Sequence, residues 1–357
     1  MADATPVEIH GYFQNRVYDL PGDSLFFQEE RVSVSAIAHL PKDMTAYTEV
    51  YYMPWLAANK DGIYLESAYA DMPFLGGHIR VGKGRGLNFG ITPSYPNRKT
   101  SNYGMVAEEF TQDRIIGAQY YQTVNDTYYG LTVQVNERPG TRTVGDPGSD
   151  ANTTVIGPAS TPVPMSHLAD RDVPGDLDRN LAVVGRISHQ WKEGLRLGAS
   201  AMFSSETAQD LANYVDPNHT ANSLGADTNN LATIFGQKFT STKKNRLEAD
   251  GTYQKGHLVI QGELFKAEDS SLDRTAWDLL AGWETKSFRF YTRYGQDNIG
   301  VAPLAAYPAT WSKKQLTLSA VKPISQTVWL QLEQEFNTEE KYSVKNNVTF
   351  LELFTGF

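Results

Sequence analysis

The sequence predicts an all-β fold, an antiparallel transmembrane β-barrel of about sixteen strands in one domain over residues 1–357. Three observations predict it. Apolar and polar residues alternate with a period of two over segments of about 9–11 residues, the length a tilted strand needs to cross a bilayer. The segments come in an even number, which returns both ends of the chain to one side. The connections between them sort by length, short on one side and long on the other.

The candidate strands begin near residues 7, 27, 44, 62, 75, 114, 127, 181, 194, 245, 256, 274, 286, 312, 325 and 344. If the first strand rises from the side that holds the termini, even-numbered connections are the short ones. They fall at Pro41-Lys42-Asp43, Pro73-Phe74, Asn125-Asp126, Lys192-Glu193-Gly194, Lys255-Gly256, Thr285-Lys286 and Pro323-Ile324-Ser325. The long connections fall at 85–113, 139–180, 206–243 and 297–311, all on the opposite side. A soluble sandwich has no reason to sort its loops this way. The segment 139–180, rich in Gly, Pro, Asp and Thr, has the composition of a linker, but strands of one pattern flank it, so it reads as a large external loop. Residues 206–214 suit a short helix.

Within the strands the alternation assigns faces. Val328, Leu330, Leu332 and Phe336 oppose Trp329, Gln331, Glu333 and Glu335. Leu247, Ala249, Gly251 and Tyr253 oppose Arg246, Glu248, Asp250 and Thr252, and Leu195, Leu197, Ala199, Ala201 and Phe203 oppose Arg196, Gly198, Ser200 and Met202. A barrel this wide is too large for side chains to fill, so the polar face lines water and the apolar face is left for lipid. Tyr52, Tyr129, Trp191, Trp277, Trp283 and Tyr294 lie near strand ends on the apolar parity, where interfacial belts are expected, although aromatic residues also enrich in strands generally.

Composition narrows the chemistry. The 19 Tyr, 16 Phe, 6 Trp and 29 Gly suit aromatic girdles and tight turns. Cysteine is absent, which removes disulfides, thiolate metal sites and thiol catalysis. A net charge of −9 with no dominant basic face argues against nucleic acid as a partner. No apolar run approaches the about 20 residues of a membrane helix. Gly82-Lys83-Gly84-Arg85-Gly86 lacks the register of a phosphate-binding loop, no nucleophile elbow is present, and no catalytic residues assemble from adjacent strands. The seven histidines show no metal-ligand spacing. Asp170, Asp172, Asp176 and Asp178 cluster in one long loop, but without the glycine and terminal glutamate of a calcium-binding EF-hand they read as a solvated acidic loop. No cofactor or metal is expected.

The chain ends Val348-Thr349-Phe350-Leu351-Glu352-Leu353-Phe354-Thr355-Gly356-Phe357, in strict alternation and on a phenylalanine. This stretch resembles the terminal strand of bacterial outer-membrane barrels. The run Gly76-Gly77-His78-Ile79-Arg80-Val81-Gly82-Lys83-Gly84 with Asn88-Phe89-Gly90-Ile91-Thr92-Pro93 is similar to the strand-then-loop segment of phosphate-selective and related anion porins. The resemblance implies short periplasmic turns, long external loops and residence in the outer membrane of a Gram-negative bacterium. Lipid and lipopolysaccharide would surround the barrel, which would assemble as a homotrimer. Met1-Ala2-Asp3-Ala4 reads as an initiator placed before a mature N-terminus, an export signal having been removed.

The resemblance further implies a passive diffusion channel for ions and small hydrophilic solutes, narrowed by the third external loop, residues 85–113. By position Glu108, Glu109 and Asp113 would form the acidic side of the constriction and Arg16, Arg31 and Arg80 the basic wall, with Arg98 and Lys99 in the loop itself. For any single one of them the plainer reading is a solvated lumen residue, since charge rings are only one of several ways to build selectivity. Arg186, Arg196, Arg246, Arg289 and Arg293 share lumen parity and are interleaved with Glu248, Asp250, Glu263, Asp278, Glu333 and Glu335. That mixture suits either a salt-bridged wall or a ladder for a charged or sugar-like solute, with Tyr12, Tyr47, Tyr121, Tyr128 and Trp329 as contacts. The competing expectations are a barrel serving as sheath or scaffold for a partner protein, a barrel enzyme, and a soluble all-β protein.

Overall fold

The computed structural model describes residues 6–19, 25–52, 63–91, 97–102, 104–111, 114–135, 138–140, 171–173, 180–205, 242–269, 272–299, 312–339 and 347–357. Their elements are β1 (Val7–Asp19), β2 (Phe26–Leu40), β3 (Met44–Tyr52), β4 (Ile63–Phe74), β5 (Gly77–Gly84), α1 (Met105–Phe110), β6 (Ile115–Val124), β7 (Thr127–Val135), β8 (Arg138–Gly140), β9 (Arg171–Val173) and β10 (Leu181–Gln190). They continue with β11 (Leu195–Ser205), β12 (Lys243–Lys255), β13 (Leu258–Asp269), β14 (Leu272–Glu284), β15 (Arg289–Ile299), β16 (Lys313–Pro323), β17 (Val328–Glu339) and β18 (Val348–Gly356). Sixteen of these strands close into one antiparallel barrel. β8 and β9 pair with each other inside the long connection between β7 and β10. The predicted helix at 206–214 and the aspartates at 170, 176 and 178 lie outside the described residues.

Closure joins the two ends of the chain. β1 pairs with β18, Tyr12 opposite Gly356 and Arg16 opposite Glu352. The Phe357 N–H donates to the Gly11 carbonyl at 3.0 Å and the Gly11 N–H returns a bond to the Phe357 carbonyl at 3.1 Å. The Phe357 ring lies 5.6 Å from that of Phe13. A Cβ at position 11 would stand 2.3 Å from the Phe357 ring, so only glycine lets the terminal residue sit there.

At the short-turn end, Asn125 and Asp126 take φ of 47° and 63°, the conformation a two-residue hairpin of the primed type demands and these residues tolerate. β4 runs on through Pro73 and Phe74, and the turn falls at Leu75 and Gly76, φ 48° and 79°. Proline near a strand end removes a donor where the ladder is already finishing. Likewise Lys255 belongs to β12, and β15 and β17 start at Arg289 and Val328, each three residues later than the alternation predicts.

The two faces separate as the alternation requires. Leu247, Phe203, Leu332, Leu351 and Leu353 are exposed on the outside, whereas Arg246, Glu248, Asp250, Met202, Glu333, Glu352 and Phe354 are buried inside. A soluble protein with this outer band would aggregate, and with lipid as solvent the band is the stabilising surface. Leu332→Arg near the middle of β17 is therefore expected to cost about 2–4 kcal/mol of folding free energy in lipid. Urea unfolding in phospholipid vesicles measures it, and a midpoint equal to that of the parent would contradict the assignment of faces.

Candidate functional site: a lumen narrowed by the loop between β5 and β6

The glycine-rich run of β5 has a steric role. Gly82, at φ +132°, would place a Cβ 2.3 Å from the Ala68 carbonyl, and a Cβ on Gly84 would stand 3.0 Å from the Tyr69 ring. The empty space is filled by Tyr69, and the Arg80 guanidinium lies 4.0 Å from the centroid of that ring. Asp71 gathers the surrounding donors, accepting from Arg80 Nε at 3.0 Å and Tyr121 Oη at 2.7 Å, with His78 Nδ1 at 3.1 Å. The result is a charged, tyrosine-rich wall on β4 to β6, facing the lumen.

Beyond Gly84 the chain turns inward and is bonded to the wall by its backbone and short polar side chains. The Leu87 N–H donates to Gln119 Oε1 at 2.8 Å, Asn88 Nδ2 donates to Thr132 Oγ1 at 2.8 Å, and Tyr128 Oη donates to Asn88 Oδ1 at 2.7 Å. Gly130 admits that asparagine, because a Cβ there would overlap Asn88 Oδ1 at 1.8 Å. Further on, the Ile91 N–H donates to Glu263 and Lys99 Nζ to Glu284, at 2.5 and 2.6 Å.

The strongest anchorage lies at the seam where β17, β18 and β1 meet. Glu333 accepts the backbone N–H groups of Ser101 and Asn102 at 2.8 and 3.2 Å, and Glu335 accepts from Asn102 Nδ2 at 2.6 Å. Glu352 takes Arg16 Nε at 2.8 Å, Gln14 Nε2 at 2.6 Å and the Ser101 hydroxyl. Arg16 Nη2 closes the ring on Ser101 Oγ at 2.6 Å. Charge-assisted bonds in a buried site are the strong kind, and here each carboxylate is satisfied by donors from the loop.

Apolar residues from both halves of the loop cover an apolar patch of the wall. Phe89, Met105, Val106 and Phe110 pack against Val184, Met202, Phe265, Ala267 and Ala276 of the barrel wall. Phe110 is fully buried, 5.3 Å from the Phe265 ring, with the Arg274 guanidinium 4.4 Å from its centroid. Arg274 is itself fully buried against Asp297 at 2.8 Å. Arg246 Nη1 donates to the Phe110 carbonyl at 3.2 Å and Arg293 Nη1 to the Asn102 carbonyl at 3.3 Å.

The predicted arginines all face the lumen but differ in what they meet there. Arg16, Arg246 and Arg293 lie beneath the loop and bond to it or to its carboxylate anchors. Arg186 bonds Glu248 and Asp250 at 3.2 and 2.6 Å, and Arg196 approaches Asp250 at 3.7 Å. Arg31, stacked 4.9 Å over Tyr51, and Arg80 belong to the wall of β2 to β5. Arg98 and Lys99 stand at the loop tip, and Arg289 is exposed at the short-turn end. Glu108 and Glu109 fall in α1 with side chains outside the described residues, as is Asp113 altogether. Sequence reasoning placed Arg16 in an open basic wall, but it is 2% exposed, held down by Glu352 and the loop. It passed over Arg274, Asp297, Glu352 and the Arg114–Glu66 pair. A readable signal existed for the seat of α1, since Val184, Met202, Phe265, Ala267 and Ala276 are apolar at inward positions and so need a cover.

No protein-family model and no curated protein sequence matches the chain. Solved structures do match. The chain superimposes on OmpF of Salmonella typhi, solved in complex with daunomycin, with a TM-score of 0.66 at 10% identity, covering 100% of this chain and 99% of that one. For the outer membrane channel DcaP of Acinetobacter baumannii the TM-score is 0.62 at 10% identity, with the same coverage. The anion-selective porin from Comamonas acidovorans gives 0.59 at 11% identity, over 99% of this chain and 100% of that one. The chain has the fold of the outer-membrane porins, a closed barrel of sixteen antiparallel strands.

Proposed function

We propose that this protein is a porin of the bacterial outer membrane, a passive water-filled channel for ions and small hydrophilic solutes. It is not an enzyme on this reading, and solutes cross down their gradients. The observation that carries the reading is the loop between β5 and β6, folded inside a barrel whose inner face is polar and bonded to that face from β6 round to β1. A segment so placed restricts a pore without crossing lipid. Lipid and lipopolysaccharide surround the apolar outer band, and the protein assembles as a homotrimer.

Ion preference follows from which charges are used up. The carboxylates of β12, β13, β17 and β18 are engaged by arginines and loop donors. Among the described residues, Arg80 pairs with Asp71 and Arg114 with Glu66, and the wall beyond them carries Arg31, Arg98 and Arg289 against Glu49, so cations are in excess there. Anions are expected to pass preferentially. Single-channel recording in a planar bilayer under a salt gradient tests both points. Stepwise ohmic openings with a reversal potential on the anion side are expected, lost in groups of three for a trimer. A folded barrel that inserts and never conducts would sink the channel reading and favour a sheath for a partner protein.

A further inference from the structure

A chamber of about 660 Å³ lies between the loop tip and the short-turn end of the barrel, bounded by β1 to β3 and β15 to β18. Its wall breaks the rule of the lumen. Tyr291 and Val321 line it from inward positions of β15 and β16, in a buried cluster with Val259 and Leu280 of β13 and β14, and Trp329 packs against that cluster. Trp329 stacks on Phe354 with ring centroids 3.7 Å apart and planes 13° apart, and Phe354 lies 5.2 Å from Tyr12. Phe354, between the two, is 2% exposed, whereas Trp329 at the end of the stack is partly exposed to the chamber. Trp329 is the partly exposed apolar face of this cluster, and an apolar face turned to water costs hydration that a polar one would not.

The polar lining supplies a sign. Among the described residues, Arg98, Lys99 and Arg289 line the chamber against one carboxylate, Glu49, which accepts from Ser33 Oγ at 2.7 Å and Tyr47 Oη at 3.0 Å. An aromatic face beside placed cationic and polar groups, in a space of this volume, is the make-up of a small-molecule site. We infer that the chamber is a binding site for monocyclic aromatic carboxylates, the ring against Trp329 and the carboxylate toward Arg98 and Arg289. The channel reading enters only in how the solute arrives, since binding itself needs no net transport.

Saturation-transfer difference NMR on the folded protein in detergent tests it, with 4-hydroxybenzoate as probe and cyclohexanecarboxylate and glucose as comparators. Transfer to 4-hydroxybenzoate is expected to exceed that to either comparator. Trp329→Ala is expected to weaken binding about fivefold, the order of one lost stacking partner. Arg289→Gln, at an exposed position, is expected to weaken 4-hydroxybenzoate and leave the weak glucose signal as it was. Equal transfer to cyclohexanecarboxylate, or unchanged binding by both variants, would overturn the inference. Conductance separates the two readings. A barrel that conducts in potassium chloride without transfer to the probe loses the site and keeps the channel, and one that binds the probe without conducting keeps the site alone.

Discussion

Glu352→Ala is expected to lower the unfolding free energy of the barrel by about 3–5 kcal/mol, the cost of removing one member of a buried ion pair. The size follows from what is left behind. Arg16 and Glu352 are almost wholly shielded, at 3% and 0% side-chain exposure, and Glu352 is also the acceptor for Gln14 and the Ser101 hydroxyl. Alanine would strand a guanidinium in a site that excludes water, beside two further donors without their acceptor. The position is also where the first strand meets the last, so the loss falls on closure of the barrel. Urea unfolding in lipid vesicles measures the shift, and the double variant Arg16→Met, Glu352→Leu is expected to recover most of it, since a packed apolar pair avoids the desolvation that the ion pair must offset. Equal midpoints for Glu352→Ala and the parent would show that the seam is held by its backbone ladder alone.

Phe110→Ala is expected to act on the pore. Deleting a fully buried phenylalanine costs about 3–5 kcal/mol, made of lost transfer free energy and the cavity left behind. Phe110 belongs to the six-residue α1, held by its apolar side against Phe265, Val184 and Met202, and the strands around it keep their own ladders. The loss is therefore expected to loosen the returning half of the loop while the global unfolding midpoint moves little. In a planar bilayer the variant should show a larger mean conductance and more open-channel noise. A quiet channel of parental size would mean that the polar anchors at Glu333, Glu335 and Glu352 suffice to hold the loop. Lys99→Ala makes a useful comparison, because the Lys99–Glu284 pair is partly exposed and worth at most about 1 kcal/mol.

The barrel was legible because a strand between lipid and water writes both solvents into alternate residues. Every predicted strand is present, and the faces assigned from Leu247, Leu332 and Leu353 hold. At Phe74 and Lys255 a hydrogen-bond ladder outlasts the local turn signal, whereas β15, β17 and β18 start three or four residues later than the alternation predicts. Inward parity of the arginines was equally readable, but their division was not. Whether a luminal arginine meets water or a covering segment depends on where the loop lies, and no period in the sequence reports that. Arg16 and Arg31 look alike in sequence, yet one is sealed under Ser101 and the other stacks on Tyr51. Phe110 was overlooked because a single aromatic residue in a polar loop has no pattern, whereas its seat did.

The pairing of β1 with β18 has a consequence in time. Val17 finds its partner Leu351 only after every intervening strand has been made and placed, so the contact that seals the barrel is among the most distant in sequence. Contacts of that kind form slowly. Until then both outermost strands present rows of unpaired N–H and C=O groups, which hydrocarbon cannot satisfy and which invite pairing with other chains. The first strand therefore stays unpaired for the whole interval in which the last is still arriving, and shielding that edge is the condition for closing as a single-chain barrel.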